Sequence, residues 1–340
     1  MPRAAARSAR GPATGRGSRA YVSGAGQRTR RMRSGQLTGE SEEFGMGVRP
    51  FRFGVNMITF DTGEAFRERC RRAEELAYDV VQVPDHLGMC APFSALATAA
   101  AVTERPRLGT FVLNAGLWNP ALLAREVATC DQLTDGRLEL GLGAGYVKAE
   151  HDRAGLPWGS PGRRVGHLEH TVAELARLLA DPEHVPQPRQ ETVPLLIGGN
   201  GDRVLRLAAR KASVVAFTGA RQVRGEPLGT LRLAPPDELE DRVAAFRGFA
   251  AARTEPYELN YLVQYVALTS DRRAELRGLP PYGPEMTEEQ MLGHPALLLG
   301  SVKEIAEQLR AHRDRFGFSY WTVLDPYMEA FAPVIEELRG

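Results

Sequence analysis

Long apolar segments, paired cysteines and an excess of one charge are all missing from this chain. No apolar run is long enough to span a bilayer, which excludes a transmembrane helix. The formal net charge is +1, so the chain has no general attraction to nucleic acid or to a membrane surface. Its three cysteines, Cys70, Cys90 and Cys130, form no Cys-x-x-Cys pair. We therefore expect reduced thiols in a cytoplasmic protein, with Cys70 and Cys130 buried on helices.

The first 48 residues contain few large apolar side chains and show no periodicity. They cannot bury enough surface to fold, which predicts a disordered Arg- and Gly-rich tail at 1–48 and a single domain at 49–340. Arg30 and Arg31 are similar to a twin-arginine signal, but the apolar segment of such a signal is absent. A basic arm touching nucleic acid is the alternative to a plain tail. We expect Met46 to be the working start, and an intact mass that includes residues 1–45 would contradict this.

The most informative stretch is 108–148, where a strand, a helix and a second strand follow one another and imply a parallel sheet. Asn119 and Pro120 predict the helix start as cap and first helical residue, and Asp135-Gly136 predict its end. The expected buried stripe of this helix is Leu122, Leu123, Val127 and Leu133. The second strand runs into Gly141, Gly143 and Gly145. These glycines predict close approach of a flat or phosphorylated ligand, or else tight packing under the strand ends.

From residue 51 onward, strand patterns alternate with helix patterns. The expected strands are 53–57, 80–83, one beginning at 108, 138–142, 193–197, 214–217, 259–268 and 320–324. This α/β alternation predicts a (β/α)8 TIM barrel, whose chemistry gathers on the loops after the strands. Two irregular stretches, 218–236 and 278–295, are expected to be insertions at the C-terminal face that act as lids or substrate walls.

Polar side chains and glycines stand where the predicted strands end. Asp85 and His86 follow the second strand, and Tyr146 follows the fourth. Histidine exchanges a proton at neutral pH, and Asp85 would orient it or bind a ligand edge, the alternative being a structural histidine. The loop after the fifth strand consists of Gly198, Gly199, Asn200 and Gly201. It opens a helix and predicts a phosphate site, with Arg203 adding charge, although a plain loop and a solvated arginine remain the alternatives.

These motifs together closely resemble the luciferase-like monooxygenase superfamily, and within it the oxidoreductases that depend on the deazaflavin coenzyme F420. The resemblance covers about 51–338 and rests on the 108–148 unit, on Pro84-Asp85-His86-Leu87 and on the glycine loop with Arg203. It implies a non-prolyl cis peptide at Phe111-Val112 behind the cofactor ring, and ring-edge contacts from Asp85 and His86. The implied phosphate contacts are Gly198, Gly199, Asn200, Gly201 and Arg203, together with Ala144 and Gly145.

Several positions next to these motifs limit the resemblance. Cys90 and Tyr146 replace a tryptophan and a glutamate of the family's sugar-phosphate dehydrogenase branch, so the resemblance does not extend to that branch. Glu150 matches an acidic position of the family, whereas His151 and Asp152 are expected to form a solvated loop. His167 and His170 have the spacing of a helix surface and lack a third ligand, so no metal site is expected.

The resemblance implies hydride transfer between the reduced deazaflavin and a small or peptide-borne organic substrate, with reduction of a C=C or C=N bond favoured. His86 is the candidate that carries the accompanying proton, and Tyr146 is either a second proton donor or a wall over the ring. Relatives commonly form dimers, so a homodimer is expected, and no nucleic acid or membrane partner is.

Other activities are compatible with the same frame. The first alternative is a monooxygenase that uses reduced flavin mononucleotide (FMN) and oxygen, which would need a partner flavin reductase. The second is a non-catalytic cofactor-binding protein on the same barrel. A metal-dependent hydrolase is a weaker option, because the first strand lacks a His-x-His pair.

Overall fold

The computed structural model describes residues 49–223, 226, 231–279 and 286–340. The predicted tail at 1–48 and the expected start at Met46 lie outside the described residues, and the division into a tail and one domain stays a prediction. Parts of the two predicted insertions also lie outside them.

Eight strand positions close into a parallel barrel, which confirms the predicted fold. The strands in chain order are β1 (Arg52–Asn56), β2 (Val80–Val83), β3 (Arg107–Thr110), β4 (Leu113–Asn114), β5 (Leu138–Gly143), β6 (Leu195–Gly198), β7 (Val214–Phe217), β8 (Ala220–Gln222), β9 (Leu231–Leu233), β10 (Glu258–Leu262), β11 (Tyr265–Leu268), β12 (Leu297–Gly300) and β13 (Phe318–Leu324). The barrel order is β3-β2-β1-β13-β10-β7-β6-β5, and β5 closes it by pairing with both β3 and β4. All of its strands therefore end at one mouth.

Helices follow the barrel strands and cover them from outside. They are α1 (Gly63–Glu75), α2 (Pro92–Ala100), α3 (Pro120–Leu133), α4 (Lys148–Ala154), α5 (Pro161–Leu179), α6 (Asp202–Lys211), α7 (Pro236–Phe249), α8 (Arg272–Gly278), α9 (Glu288–Leu292), α10 (Val302–Phe316) and α11 (Met328–Arg339). Asn119 caps α3 as predicted, since its side chain accepts from the amides of Ala121 and Leu122. None of the described helices is long and apolar enough to cross a membrane.

The main apolar core lies between the barrel and the helices, and alternate strand residues build it. Val81, Leu108 and Ile197 belong to this layer, whereas Val80 and Leu196 belong to a smaller cluster inside the barrel. Cys70 and Cys130 are buried free thiols on α1 and α3, as predicted, and Cys90 is a partly exposed free thiol.

The predicted buried stripe of α3 was half wrong. Leu123 and Val127 are fully buried, but Leu122 is 52% exposed and Leu133 is 61% exposed. Successive residues of a helix turn by about 100°, so the neighbour of a buried residue lies on another face. Ala124 and Ala128 occupy the buried positions that the larger leucines were expected to fill.

The predicted strand at 259–268 is two strands in two different sheets. β10 stays in the barrel, while β11 pairs outside it with β12, a strand that the sequence patterns missed. The chain changes sheets within two residues. The amide of Val263 donates to Thr322 of the barrel, and the amide of Gln264 donates to the Ala296 carbonyl just before β12. The stretch is mainly apolar on both sides of the change, so its pattern contains no local signal for it.

The N-terminal end of the barrel is closed by ion pairs. Arg52 lies between Glu139 and Glu258, and Arg107 shares Glu139 at 2.7 Å from its Nε. The Arg52 guanidinium also lies 4.3 Å from the ring centroid of Tyr320. Further in, the Asn260 amide donates to Thr322, whose hydroxyl donates to Gln82. The charged groups at this end thus pair with one another within the protein, although Glu139 Oε2 has no hydrogen-bond partner among the described residues.

Candidate active site at the mouth of the barrel

A non-prolyl cis peptide joins Phe111 to Val112, as predicted, and it separates β3 from β4. The side chain of Val112 lies among glycines of the neighbouring strands. A Cβ added to Gly143 would lie 2.8 Å from Val112 Cγ2, and one added to Gly198 would lie 3.4 Å from Cγ1. Val112 is half-buried, and the two neighbouring glycines, Gly143 and Gly198, have no side chains to place beside its own.

The glycine run at the end of β5 packs against protein atoms. A Cβ on Gly141 would lie 2.0 Å from the carbonyl oxygen of Thr110, and one on Gly145 would lie 2.2 Å from Asn114 Oδ1. Gly145 also has a φ of +73°, a region that favours glycine. Tight packing under the strand ends, which was one of the two interpretations, accounts for these two glycines. The resulting turn places Ala144 and Tyr146 at the mouth.

Asp85 is buried, and residues in and just after β4 hold its carboxylate in place. Its Oδ2 accepts from Trp118 Nε1 at 2.9 Å and from the backbone amide of Asn114 at 3.2 Å. Burial raises the pKa of the Asp85 carboxyl, and these two hydrogen bonds oppose the rise. The contact of Asp85 with a cofactor ring stays a prediction, and its partners Trp118 and Asn114 were not singled out from the sequence.

His86 and Tyr146, which were predicted from separate loops, lie together. The Tyr146 hydroxyl lies 3.4 Å from His86 Nε2, and the two rings meet edge to face with centroids 5.6 Å apart. The other ring nitrogen, Nδ1, lies 2.7 Å from Glu150 Oε1. The Glu150 side chain is only 6% exposed, whereas Tyr146 exposes 54% of its surface. The mouth thus holds an imidazole between a buried carboxylate and an accessible phenol.

The expectation that His151 lies on a solvated loop was wrong. His151 is 1% exposed on α4, with Nδ1 3.0 Å from the Pro157 carbonyl and Nε2 3.1 Å from the Asn114 amide nitrogen. A carbonyl only accepts, so Nδ1 carries the proton and Nε2 accepts from Asn114. Asp152 is exposed, as expected, and pairs with Lys148 on the outer face of α4. A seven-residue helix is too short to reveal its buried side through periodicity.

The glycine loop after β6 leads directly into α6. Gly201 is the N-terminal cap residue and provides no side-chain hydrogen bond, and a Cβ built there would meet nothing within 4 Å. Asn200 Oδ1 is buried and has no hydrogen-bond partner among the described residues. Arg203 is engaged elsewhere, because it pairs with Glu169 and donates to the Gly162 carbonyl at 2.9 Å. Its predicted phosphate contact stays a prediction.

The luciferase-like monooxygenase family model matches residues 48–279, well over half of the chain, and the chain therefore belongs to that family. The 5,10-methylenetetrahydromethanopterin reductase of Archaeoglobus fulgidus is 26% identical over 171 residues, 46% of this chain and 50% of that protein. This chain thus spans about half the length of the archaeal relative. The FMNH2-dependent dimethylsulfone monooxygenase of Pseudomonas putida is 25% identical over 250 residues, 62% of this chain and 67% of that protein.

Solved structures of low sequence identity share the fold. An F420-dependent secondary alcohol dehydrogenase, solved in complex with an F420-acetone adduct, superposes with a TM-score of 0.68 at 17% identity. The match covers 86% of this chain and 100% of that one. The family contains oxidoreductases and monooxygenases, and the relatives and structural neighbours named here include one described with F420 and one with FMNH2.

Proposed function

We propose that this protein is a coenzyme F420-dependent oxidoreductase that reduces a C=C or C=N bond of a small or peptide-borne organic substrate. The observation that carries the proposal is the position of His86. Its imidazole lies at the barrel mouth beside the Tyr146 hydroxyl. His86 follows β2, and the Phe111-Val112 cis peptide follows the neighbouring strand β3. Hydride transfer to a polarised double bond is accompanied by a proton, and a histidine at the site is a common donor of that proton.

The residues at the mouth fit a flat cofactor ring. Gly143 and Gly198 place no side chains beside Val112, whose methyl groups lie next to both glycines, and we propose that the ring would lie against Val112 and the cis peptide. Asp85 follows β2, the strand next to β3, and would contact the ring edge together with His86. When bound, the reduced deazaflavin supplies a hydride and reacts poorly with oxygen.

The loop after β6 fits a phosphate group. Within the part of the chain that the structure describes, no side chain caps the first amides of α6, and no atom lies within 4 Å of a Cβ built on Gly201. Free amides and the helix dipole both favour an anion at such a position. Asp202 in the first turn would oppose an anion, but its carboxylate is paired with Arg242 at 2.6 Å. Gly198, Gly199, Asn200 and Gly201 would hold the phosphate, with Ala144 and Gly145 facing it from the β5 turn.

His86 provides the proton in this proposal. Reduction of a C=C bond adds a hydride to one carbon and a proton to the other. His86, protonated on both ring nitrogens, would deliver that proton from Nε2 and return to the neutral ring protonated on Nδ1. Tyr146 would hydrogen-bond to the same nitrogen or to the substrate, and it would cover the site from the solvent side. In the reverse direction His86 would accept the proton.

A paired titration tests the cofactor. The full chain is titrated with reduced F420 and with reduced FMN, and we expect F420 to bind at least tenfold more tightly. Tighter binding of FMN, together with oxygen consumption when a flavin reductase is supplied, would favour the monooxygenase alternative. The P. putida relative, whose match to this chain is the longer of the two, supports that alternative.

Replacing His86 tests the catalytic assignment. With reduced F420 and cyclohex-2-en-1-one as a probe acceptor, His86→Ala should lower kcat by about 10²- to 10⁴-fold, the usual contribution of a general acid. The dissociation constant of F420 should stay within about twofold, because other residues bind the phosphate and the ring face. Unchanged turnover would remove His86 from the mechanism.

A further inference from the structure

A buried carboxylate stands behind the histidine of the proposed site. Glu150 is 64 residues away from His86 in sequence, yet its Oε1 lies 2.7 Å from His86 Nδ1. We propose that Glu150 is a positioning residue that keeps a proton on Nδ1 and so reserves Nε2 for proton exchange at the mouth. This inference rests on the proposed function, and it names the residue that would make His86 competent for it.

The tautomer follows from donor and acceptor chemistry. A carboxylate accepts hydrogen bonds and cannot donate one, so Nδ1 of His86 must carry the proton in this contact. The neutral imidazole then has its lone pair on Nε2, the nitrogen that lies 3.4 Å from the Tyr146 hydroxyl. The same carboxylate faces Nδ1 when Nε2 takes up a second proton, and it compensates the charge of the imidazolium that then donates from Nε2. Without Glu150, the two neutral tautomers would be close in energy and the imidazolium would lose its counter-charge.

The carboxylate is held in place by its neighbours on α4. His151, the next residue, is bonded on both ring nitrogens, to the Pro157 carbonyl and to Asn114. Glu150 itself is buried, while the outer face of the helix carries the Lys148 and Asp152 pair. Because α4 is tied down through His151, Glu150 meets His86 in a fixed orientation.

If the contact between Glu150 and His86 has only a structural role, different results are expected. If the contact only fastened the loop after β2 to α4, its loss would lower stability and leave the tautomer and the turnover of the folded protein unchanged. The two roles are therefore separated by a measurement on the His86 ring itself.

The test uses the full chain and three variants. Glu150→Gln removes the charge and offers His86 an acceptor or a donor, so it no longer dictates the tautomer. Glu150→Asp keeps a buried carboxylate but draws it back by one methylene, and it serves if Glu150→Gln folds poorly. Asp152→Asn is the matched control, since it removes a carboxylate two residues away on the exposed face of the same helix.

Two readouts are taken on each variant: the ¹⁵N shifts of the His86 ring, assigned with His86→Ala, and kcat for cyclohexenone reduction by reduced F420. We expect the Nδ1-protonated tautomer in the wild type and in Asp152→Asn. Glu150→Gln should show mixed tautomers and lose about 100-fold in kcat, because the imidazolium that donates from Nε2 loses its counter-charge. The dissociation constant of F420 should stay within twofold. Glu150→Asp should fall between them.

Retention of the Nδ1-protonated tautomer and of wild-type kcat in both folded Glu150 variants would overturn the inference and leave the proposed function standing. If His86→Ala also keeps full turnover, the assignment of His86 in the proposed function fails instead. The ring shifts of the free protein decide the tautomer in either case.

Discussion

The two ends of the barrel both hold buried charges, and they use them in opposite ways. At the N-terminal end, Arg52 and Arg107 face Glu139 and Glu258 from the first residues of the strands. The four groups neutralise one another within rigid strands. Ion pairs closed in this way compensate buried charge.

At the mouth, the ionisable groups come from a loop and a short helix that follow the strands. Among the described residues His86 has a buried hydrogen-bond partner on one side, Glu150 at Nδ1, while its Nε2 lies beside the half-exposed Tyr146. The two ends differ because the His86–Glu150 pair leaves one ring nitrogen accessible to a ligand, whereas the ion pairs at the N-terminal end face one another. Loops at the strand ends can keep such a side chain accessible without disturbing the pairing of the barrel strands.

The largest effect should come from opening the closed end. Glu139→Ala removes the carboxylate that Arg52 and Arg107 share, leaving two partly buried guanidiniums short of a partner. We expect the free energy of unfolding to fall by about 3–5 kcal/mol, measured by urea denaturation. The F420 affinity of the folded fraction should not change.

Glu64→Ala is the control, because the pair of Glu64 with Arg67 is exposed and its loss should leave stability unchanged. A loss of F420 affinity in Glu139→Ala that exceeds its loss of stability would show that the two ends are coupled.

An intermediate effect should come from crowding the mouth. In Gly143→Ala the new Cβ would lie 2.8 Å from Val112 Cγ2, so the Val112 side chain must shift. We expect F420 affinity to fall about tenfold, roughly 1.4 kcal/mol, because the support of the ring is displaced. Gly248→Ala adds the same methyl group where nothing lies within 4 Å, and it should bind F420 normally. Wild-type affinity in Gly143→Ala would place the ring elsewhere.

The smallest effect should come from the open side of His86. The Tyr146 hydroxyl is 3.4 Å from Nε2, longer than a strong hydrogen bond, and its side chain is half exposed. Tyr146→Phe should therefore lower kcat by only about two- to fivefold, since a net hydrogen bond contributes roughly 1 kcal/mol or less here. A loss near 100-fold would make Tyr146 the proton donor and reduce His86 to a supporting role.

Much of the fold was predictable because its signals are local. The Asn119 cap and the β-branched run at 80–83 each act within a few residues, and both predictions are confirmed. The errors arose where tertiary packing decided. Leu133 lies on the wrong face of α3, and 259–268 divides between two sheets.

The site divides in the same way. Asp85, His86 and Tyr146 were identifiable from their places after strands, and Phe111-Val112 from the family resemblance. The contact between His86 and Glu150 was not, because a match to an acidic position says nothing about which side chain it will meet across 64 residues.

The sequence by itself determined the alternation of strands and helices, the loops that carry the ionisable groups, and the family to which the chain belongs. These depend on periodicity, caps and short motifs, which are properties of neighbouring residues. Only the tertiary structure decided that Gly145 packs on Asn114, that His151 is buried, and that Glu150 lies behind His86. Such contacts exist only once the barrel closes and brings the ends of distant strands to one mouth.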